Sequence, residues 1–514
     1  MKKIFLLALL MICFNAFTVY SQIISDTTIP KTTKSNISNG ELKGWVFDRN
    51  TKEPLRYTNI YVLHKHTGTI SNEKGHFLID IYRLKKNDTL RFQYIGYKTK
   101  NLTIGQLDTM SVVYLKEEIF SLNETVVFGN APDPETIVKN VLKNKDSNYR
   151  KKTWVWKTFL RIRNTDDIDK LTLNYKKSTI PELDREMIAK AEKEIPRHTV
   201  SYTDFLGKIY LPENKNDTLK IDPIRTVALK EKNMDEMEQL EEIFRNVFTG
   251  TGHNEYWKIK SGIFGGKLDL GKEDTIPEKD TLSTNKRKLG YFSKTLNYDL
   301  SYSWLSNKHD WEFLYNTGRY KYTLIGGTQV NGEEVYIIDF VPDKSGRYEG
   351  RLYISANTYA LIRADYEYAP GKTGTDFHLL GVGYTENEFE GSIYFEKRND
   401  NYVLKYFSKK VGSVVSFDRN LALLKKRKRF LFDKKLKELK IGAKVEITSE
   451  SSIELLVLDE KEITPKQFAD FKQKEYMDMI YVDRFNDELW KGFPIIEPTK
   501  EMREYKKQNI NINK

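Results

Sequence analysis

The sequence predicts a mainly β protein with some α-helix, an N-terminal β-sandwich followed by a larger antiparallel-sheet α+β domain. Three observations carry that reading. Between Gly44 and Val127, short runs of β-branched and aromatic residues alternate with turn residues at roughly the 8–12-residue spacing of a sandwich. From Tyr291 to Phe407 a second series of longer runs repeats the pattern. Helical periodicity is confined to a few stretches between and after them.

Taken in order, residues 1–21 read as a signal peptide. Lys2 and Lys3 start it, Ile4 to Ala16 form an apolar middle too short to span a bilayer, and Val19-Tyr20-Ser21 offers a cleavage point before Gln22. Lipid attachment at Cys13 is disfavoured, because Leu10-Met11-Ile12 lacks small residues. Cys13 is also the only cysteine, so the cleaved protein would hold neither a disulfide nor a thiolate metal site. Residues 22–40, rich in Ser, Thr, Asn and Lys, read as a flexible tether.

Residues 41–128 form the sandwich of about seven strands: Gly44–Asp48, Asn59–His64, His76–Ile81, Leu90–Tyr94, Lys98–Thr103, Ser111–Leu115 and Glu124–Phe128. Pro54 cannot join a ladder and closes the first turn. Gly68 to Gly75 supplies two glycines for positive φ and polar residues that bond their own backbone, which predicts a hairpin. Residues 129–150 are a linker and a helix. Asp133 caps that helix, Pro134 opens it, and Ile137, Val138, Val141 and Leu142 share one face.

Residues 151–460 are the β-rich domain. Its predicted elements are a strand Trp154–Ile162, a helix Asp184–Glu194, an amphipathic helix Asp235–Val247, and strands Lys294–Leu305, Gly318–Ile325, Glu334–Val341, Gly350–Ser355, Ala360–Tyr368, Leu379–Glu386, Ser392–Phe395 and Tyr402–Ser408. Asn331-Gly332 predicts a type I′ hairpin turn. Residues 461–514 contribute a helix from Pro465 to Met479, a core plug at Trp490, and a polar tail from Lys500 expected to be disordered.

The ordered pattern Gly44-x-Val46-x-Asp48, Thr51-Lys52-Glu53-Pro54-Leu55, Asn59-Ile60, Gly68-Thr69, Asn72-x-x-Gly75-x-Phe77 and Tyr94-Ile95-Gly96-Tyr97 resembles the carboxypeptidase regulatory-like domain. Ser71-Asn72 stands where that family usually has Thr-Asp. The resemblance covers about one sixth of the chain. It implies a transthyretin-like fold, no catalysis, and a place at the N-terminus of a Bacteroidetes-type cell-envelope protein, as in many TonB-dependent receptors. A second pattern, Tyr320-x-Tyr322-x-Leu324-Ile325-Gly326 with Val335 to Phe340, Gly350-x-Leu352-Tyr353-Ile354 and Tyr359 to Ile362, resembles the curved antiparallel sheet of lipoprotein-carrier-like proteins. It implies a half-open sheet with a concave apolar face. Asp487 to Pro494 resembles the end of the same envelope proteins.

Residues able to carry chemistry are few. His309-x-x-Glu312 has the spacing of two zinc ligands in metallocarboxypeptidases, with His378 as a third. That defines the alternative of a zinc-dependent hydrolase, but the flanking residues do not resemble that family's motif. No catalytic, metal or cofactor residue is nominated. His64 and His66 would share a face if their strand continued, with His76 nearby, and a half-exposed sheet edge explains them as well. Asp166-Asp167 and Glu333-Glu334 fall in predicted loops, and Gly262 to Gly271 and Gly326-Gly327 in predicted turns. There is no Gly-x-Ser-x-Gly, no His-Glu-x-x-His and no phosphate-binding Gly-x-x-x-x-Gly-Lys-Ser/Thr, since Gly266-x-x-x-x-Gly271-Lys272 is followed by Glu273.

The net charge of +12 is spread along the chain without a nucleic-acid recognition motif. It fits anionic lipid, lipopolysaccharide or acidic glycan better. The basic run Lys425 to Arg429, continued to Lys440 through Phe430, Leu431 and Phe432, reads as a solvated strand and loop or as a patch for anionic headgroups. The strands are too few and too polar for an outer-membrane barrel. The sequence thus predicts an exported, periplasmic or outer-membrane-associated, non-enzymatic binding or assembly module. Its sandwich would recognise an envelope protein by edge-strand pairing, and its sheet would hold a lipid or peptide, with a lipid or glycan as a further candidate ligand of the chain.

Overall fold

The computed structural model describes residues 37–505 apart from 39, 66–67, 121–130, 150–151, 214–216, 230–253, 263, 269–284, 344, 400 and 431. The predicted signal peptide, most of the tether, the strand Glu124–Phe128, the whole of the helix Asp235–Val247 and the tail beyond Tyr505 lie outside the described residues. The fold is mainly β, with a sandwich followed by a large sheet domain.

Among the described residues the sandwich has eight strands: β1 (Ile37–Ser38), β2 (Glu41–Asp48), β3 (Asn59–Val62), β4 (Gly68–Ile70), β5 (His76–Asp80), β6 (Thr89–Gln93), β7 (Lys100–Thr103) and, after the short helix α1 (Ile104–Leu107), β8 (Val112–Leu115). One sheet joins β2 to β1, β5 and β8, and the other runs β4-β3-β6-β7. The β2–β8 pair is parallel. Alternate residues Leu42, Val46, Ile60, Val62, Leu90 and Phe92 point into one core, the period-2 burial that a pleated strand imposes. Gly44 is required there, since a Cβ would lie 2.8 Å from the Phe77 ring. Gly75, at φ +72°, makes the turn between β4 and β5, where Asn72 N–H donates to His76 O at 2.7 Å.

The rest of the chain supplies α2 (Pro134–Asn148), β9 (Trp154–Ser178), α3 (Arg185–Glu194), β10 (His198–Leu211), β11 (Lys220–Leu229), β12 (Glu255–Ser261), β13 (Phe264–Leu268), β14 (Lys286–Lys288), α4 (Leu289–Ser301) and α5 (Glu312–Tyr315). Then follow β15 (Tyr320–Val330), β16 (Glu333–Pro342), β17 (Tyr348–Ser355), β18 (Leu361–Tyr368), β19 (Asp376–Leu379), β20 (Val382–Arg398), β21 (Asn401–Arg427) and β22 (Lys434–Glu462). The last elements are α6 (Pro465–Asp470), β23 (Tyr476–Asp478), β24 (Ile480–Val482) and α7 (Lys500–Glu504).

One sheet runs β15-β16-β17-β18-β20-β21-β22-β9-β10-β11-β24, with β12 and β13 added to β21 and β19 to β20. Asn331 and Gly332 both have positive φ, the type I′ turn that the sequence predicts between β15 and β16. Leu160, Phe205, Ile209 and Leu455 face α2, α4 and α5, whose Ile137, Val141, Leu289, Leu296 and Phe313 cover them. The apolar face expected to be half-open is therefore filled by the chain's own helices. On the opposite face Phe159, Leu206, Tyr406 and Leu456 meet Trp490, Ile495 and Ile496 of the C-terminal segment and Ile70 and Leu78 of the sandwich.

β21 and β22 have 27 and 29 residues, each roughly 90 Å long, and outrun their neighbours. Beyond Phe417 they form an arm with β12 and the distal half of β9. The arm has its own small core, in which Leu171, Leu173, Ile441 and Val445 pack with Ile180, Leu183 and Ile188.

Several elements depart from the sequence reading. Lys294–Leu305, predicted as a strand, lies mostly in helix α4, because Leu289, Phe292, Leu296 and Leu300 recur every three or four residues and bury one face. The helix predicted to reach Met479 stops at Asp470. Phe471 turns extended to stack on Tyr210 at 3.9 Å, and its carbonyl accepts a hydrogen bond from Lys220 Nζ at 2.9 Å. Asp166 and Asp167 lie inside β9, and Gly326-Gly327 lie inside β15 beside Phe120, whose N–H donates to Gly327 O at 2.7 Å. Thr499 caps α7 in the supposed disordered tail, and Met502 and Tyr505 are buried.

Candidate functional site

The junction of sandwich and sheet is built from charges that no local sequence pattern pairs. Arg161 and Asp204, opposite each other on β9 and β10, form a bidentate ion pair at 2.8 Å for both bonds, and Arg161 also donates to Ile496 O at 3.0 Å. Glu497 is fully buried, 2.6 Å from Arg503 Nε and 3.5 Å from the His76 ring of the sandwich. Burial lowers the His76 pKa to about 4 against the pull of Glu497. Glu454 projects into the same layer, where burial raises its pKa to about 7 although Arg161 opposes this. Arg56 pairs with Glu390, Asn72 donates to Glu497 O at 3.0 Å, Thr69 donates to Ile495 O at 3.1 Å, and Arg363 donates to Tyr94 OH at 3.1 Å. The C-terminal segment is thus a strap held between the two parts.

The candidate zinc residues do not converge. Glu312 is buried and accepts from Arg347 Nε at 2.9 Å and Tyr320 OH at 3.0 Å, which anchors α5 to β15. His309 is exposed, beside Asp310 at 3.1 Å. His378 sits on β19, paired with Asp376 at 3.4 Å and Thr385 at 3.2 Å. The other histidines also separate. His64 is in a turn with φ +63° because β3 ends at Val62, His66 lies outside the described residues, and His76 stacks on Trp45 at 4.4 Å. Among the described residues, no three His, Cys, Asp or Glu side chains are grouped to hold a metal.

A cleft of about 390 Å³ lies where the turns of three hairpins meet, at the border of the sandwich. Asn331 and Gly332 come from the β15–β16 turn, Asn357 from the β17–β18 turn, and Lys397, Asn399 and Tyr402 from the β20–β21 hairpin. Glu333, expected to be a solvated loop residue, is instead the first residue of β16. Its Oε1 accepts from Tyr402 OH and from Ser355 Oγ at 2.6 Å, with Lys397 Nζ at 3.7 Å. Burial and the carboxylate raise the Tyr402 pKa to about 12, which keeps the phenol a donor. Asn331 Oδ1 accepts from Gln93 of the sandwich at 3.0 Å, and Tyr394 and Phe395 add aromatic walls.

Sequence reasoning missed this site, yet one signal was present. The residue after an Asn-Gly I′ turn opens the returning strand, and period 2 places Glu333 on the face of Val335 and Ile337, both fully buried. A second cleft, about 670 Å³ beside β11, is lined by Thr153, Lys220 and Phe468. Its lysine already donates to Phe468 O at 2.6 Å.

A comparison with curated proteins gives no match. Among solved structures, an outer membrane lipoprotein-sorting protein domain from Vibrio parahaemolyticus matches at 8% identity over 65% of this chain and 97% of that one, with a TM-score of 0.21. A LolA superfamily protein from Nitrosomonas europaea matches at 8% identity over 66% and 98%, TM-score 0.17. The Pseudomonas aeruginosa MucA/MucB complex matches at 9% identity over 61% and 94%, TM-score 0.15. At these scores neither fold nor function passes from those proteins to this chain. Residues 42–127 match the family model of the CarboxypepD_reg-like domain, and the sandwich strapped to the large sheet is a domain of that kind.

Proposed function

We propose that this chain is an exported, non-enzymatic binding module of the cell envelope whose hairpin-turn cleft holds a neutral, hydroxyl-rich ligand of the glycan class. The observation that carries the reading is the chemistry of the cleft wall. Glu333 and Lys397 offset each other, so the wall gives an ionic ligand no advantage. Asn357 and Asn399 add carboxamides with no hydrogen bond to the rest of the described chain, and Tyr394 and Phe395 add aromatic faces. Neutral donors and acceptors beside aromatic walls suit a ring that presents hydroxyls at its edge and C–H groups on its face. A volume of about 390 Å³ falls in the range of small-molecule sites, which favour domain borders.

Export rests on the signal-like pattern of residues 1–21. Among the described residues no helix is long and apolar enough to cross a membrane. The sandwich supports the reading as a brace: its contacts with the strap and sheet fix the Asn331 turn through Gln93.

The test is a saccharide array followed by titration calorimetry on the best ligand. Glu333→Gln and Asn399→Ala should each weaken binding about ten-fold with the melting temperature unchanged, the loss expected when one hydrogen-bond partner of the ligand goes. Absence of any saccharide ligand, or wild-type affinity in both variants, would refute the proposal.

A further inference from the structure

The far end of the arm carries a feature that the cleft does not explain. Between Lys425 and Lys437 there are eight cations and one acid, Asp433. The register places Lys425 opposite Lys437, Lys426 opposite Lys435 and Arg427 opposite Lys434. Like charges directly across a strand pair destabilise it, so three such pairs in succession work against the hairpin. Glu255 on β12 relieves part of this, at 3.2 Å from Lys425 and 2.7 Å from Arg427. Lys426, Lys428, Arg429, Lys434 and Lys437 have no ion pair among the described residues.

The apex beyond these cations is apolar. Phe430 and Phe432 are 102% and 86% exposed, the most exposed of the large apolar side chains described. The apex is nevertheless fixed in place. Lys428 N–H donates to Asn254 O at 2.8 Å, and Tyr256 of β12 hydrogen-bonds Asp433. A pair of phenylalanines with no polar handle thus stands at the tip of a supported ribbon. The cations lie on both strands within five residues behind them, about 16 Å at strand rise.

We infer that the β21–β22 tip is a docking point for an anionic lipid surface, with Phe430 and Phe432 entering the headgroup–acyl boundary while the flanking lysines and arginines meet lipid phosphates. Charge complementarity selects the surface, since each cation near an anionic bilayer adds to the attraction, and aromatic tips favour the interface. Nucleic acid would also attract the charge. Two exposed phenylalanines, Phe430 and Phe432, at a narrow apex, however, offer no groove along which a strand could track, which single-strand binders need. The inference is independent of the hairpin-turn cleft.

The experiment is vesicle co-sedimentation of the chain from residue 22 onward. The vesicles are phosphatidylcholine alone or with about one-third phosphatidylglycerol, at low and high salt, with a single-stranded oligonucleotide as competitor. The wild type should bind the anionic vesicles about ten-fold better than the neutral ones, and salt should remove the difference. Phe430→Ser with Phe432→Ser, and separately Lys428→Glu with Arg429→Glu, should each cut binding about ten-fold while the melting curve stays unchanged, since all four side chains face solvent. Both pairs should leave Glu333-dependent saccharide binding intact. Equal binding to neutral and anionic vesicles, no binding, full binding by the phenylalanine variant, or displacement by the oligonucleotide would each overturn the inference.

Discussion

Glu454 and His76 sit in one buried layer and pull stability in opposite directions with pH. Glu454 has its pKa raised from 4.5 to about 7 by burial, so the folded state holds its proton longer than the unfolded chain. Its contribution is greatest below about pH 4.5 and is lost as pH rises through 7. His76, lowered from 6.5 to about 4, contributes most above 6.5, and that contribution is lost as pH falls toward 4. Glu454→Gln removes only the first effect. The variant should gain on the wild type between about pH 5 and pH 8, by at most about 3 kcal/mol, as read from denaturant midpoints. A constant difference across that window would show that Glu454 is solvated. Arg161→Met should cost about 3–5 kcal/mol, because it leaves Asp204 buried and unpaired. Neither residue announces its role in sequence. Arg161 and Asp204 are 43 residues apart, and only the register of β9 against β10 brings them together.

Among the elements, the strap decides how sandwich and sheet hold together. Trp490 fills the layer edge-on against Phe159 at 5.5 Å, and the sequence identifies it as a core plug from its apolar setting alone. Trp490→Ala should cost about 3–5 kcal/mol, the range for emptying a buried aromatic site. It should also loosen the sandwich, seen as faster protease cleavage between residues 121 and 131; an unchanged cleavage rate would mean that the strap contributes nothing to docking. Sequence reading located β3, β5 to β8 and β15 to β18 closely because their apolar residues alternate between turns carrying Gly, Asn or Pro, but it took β4 for part of a turn. It failed at α4, where Phe292 to Leu300 mixes aromatic and polar residues whose strand-like content masks a 3.6 period. It also cut β20 into pieces, ended β21 at Ser408 and left β22 unassigned beyond Lys440, since no turn residue tells the eye how far a ladder of 27 or 29 residues continues.

For the whole molecule, the strap, the buried ion pairs and the Gln93–Asn331 bond make sandwich and sheet one body. That body carries a neutral cleft at one border and a basic, aromatic tip at the end of an arm. The sequence made the sandwich and the basic run legible, because each is local. The cleft was not, because its wall is assembled from three hairpin turns between residues 331 and 402. The proposed function is that of a module that holds its ligand and returns it unaltered. The most direct test is to incubate the protein with the saccharide it binds best, then measure stoichiometry and recover the ligand for mass analysis. The account predicts saturable binding and a ligand of unchanged mass; a cleaved or modified saccharide, formed at a rate that a single side-chain replacement abolishes, would contradict it.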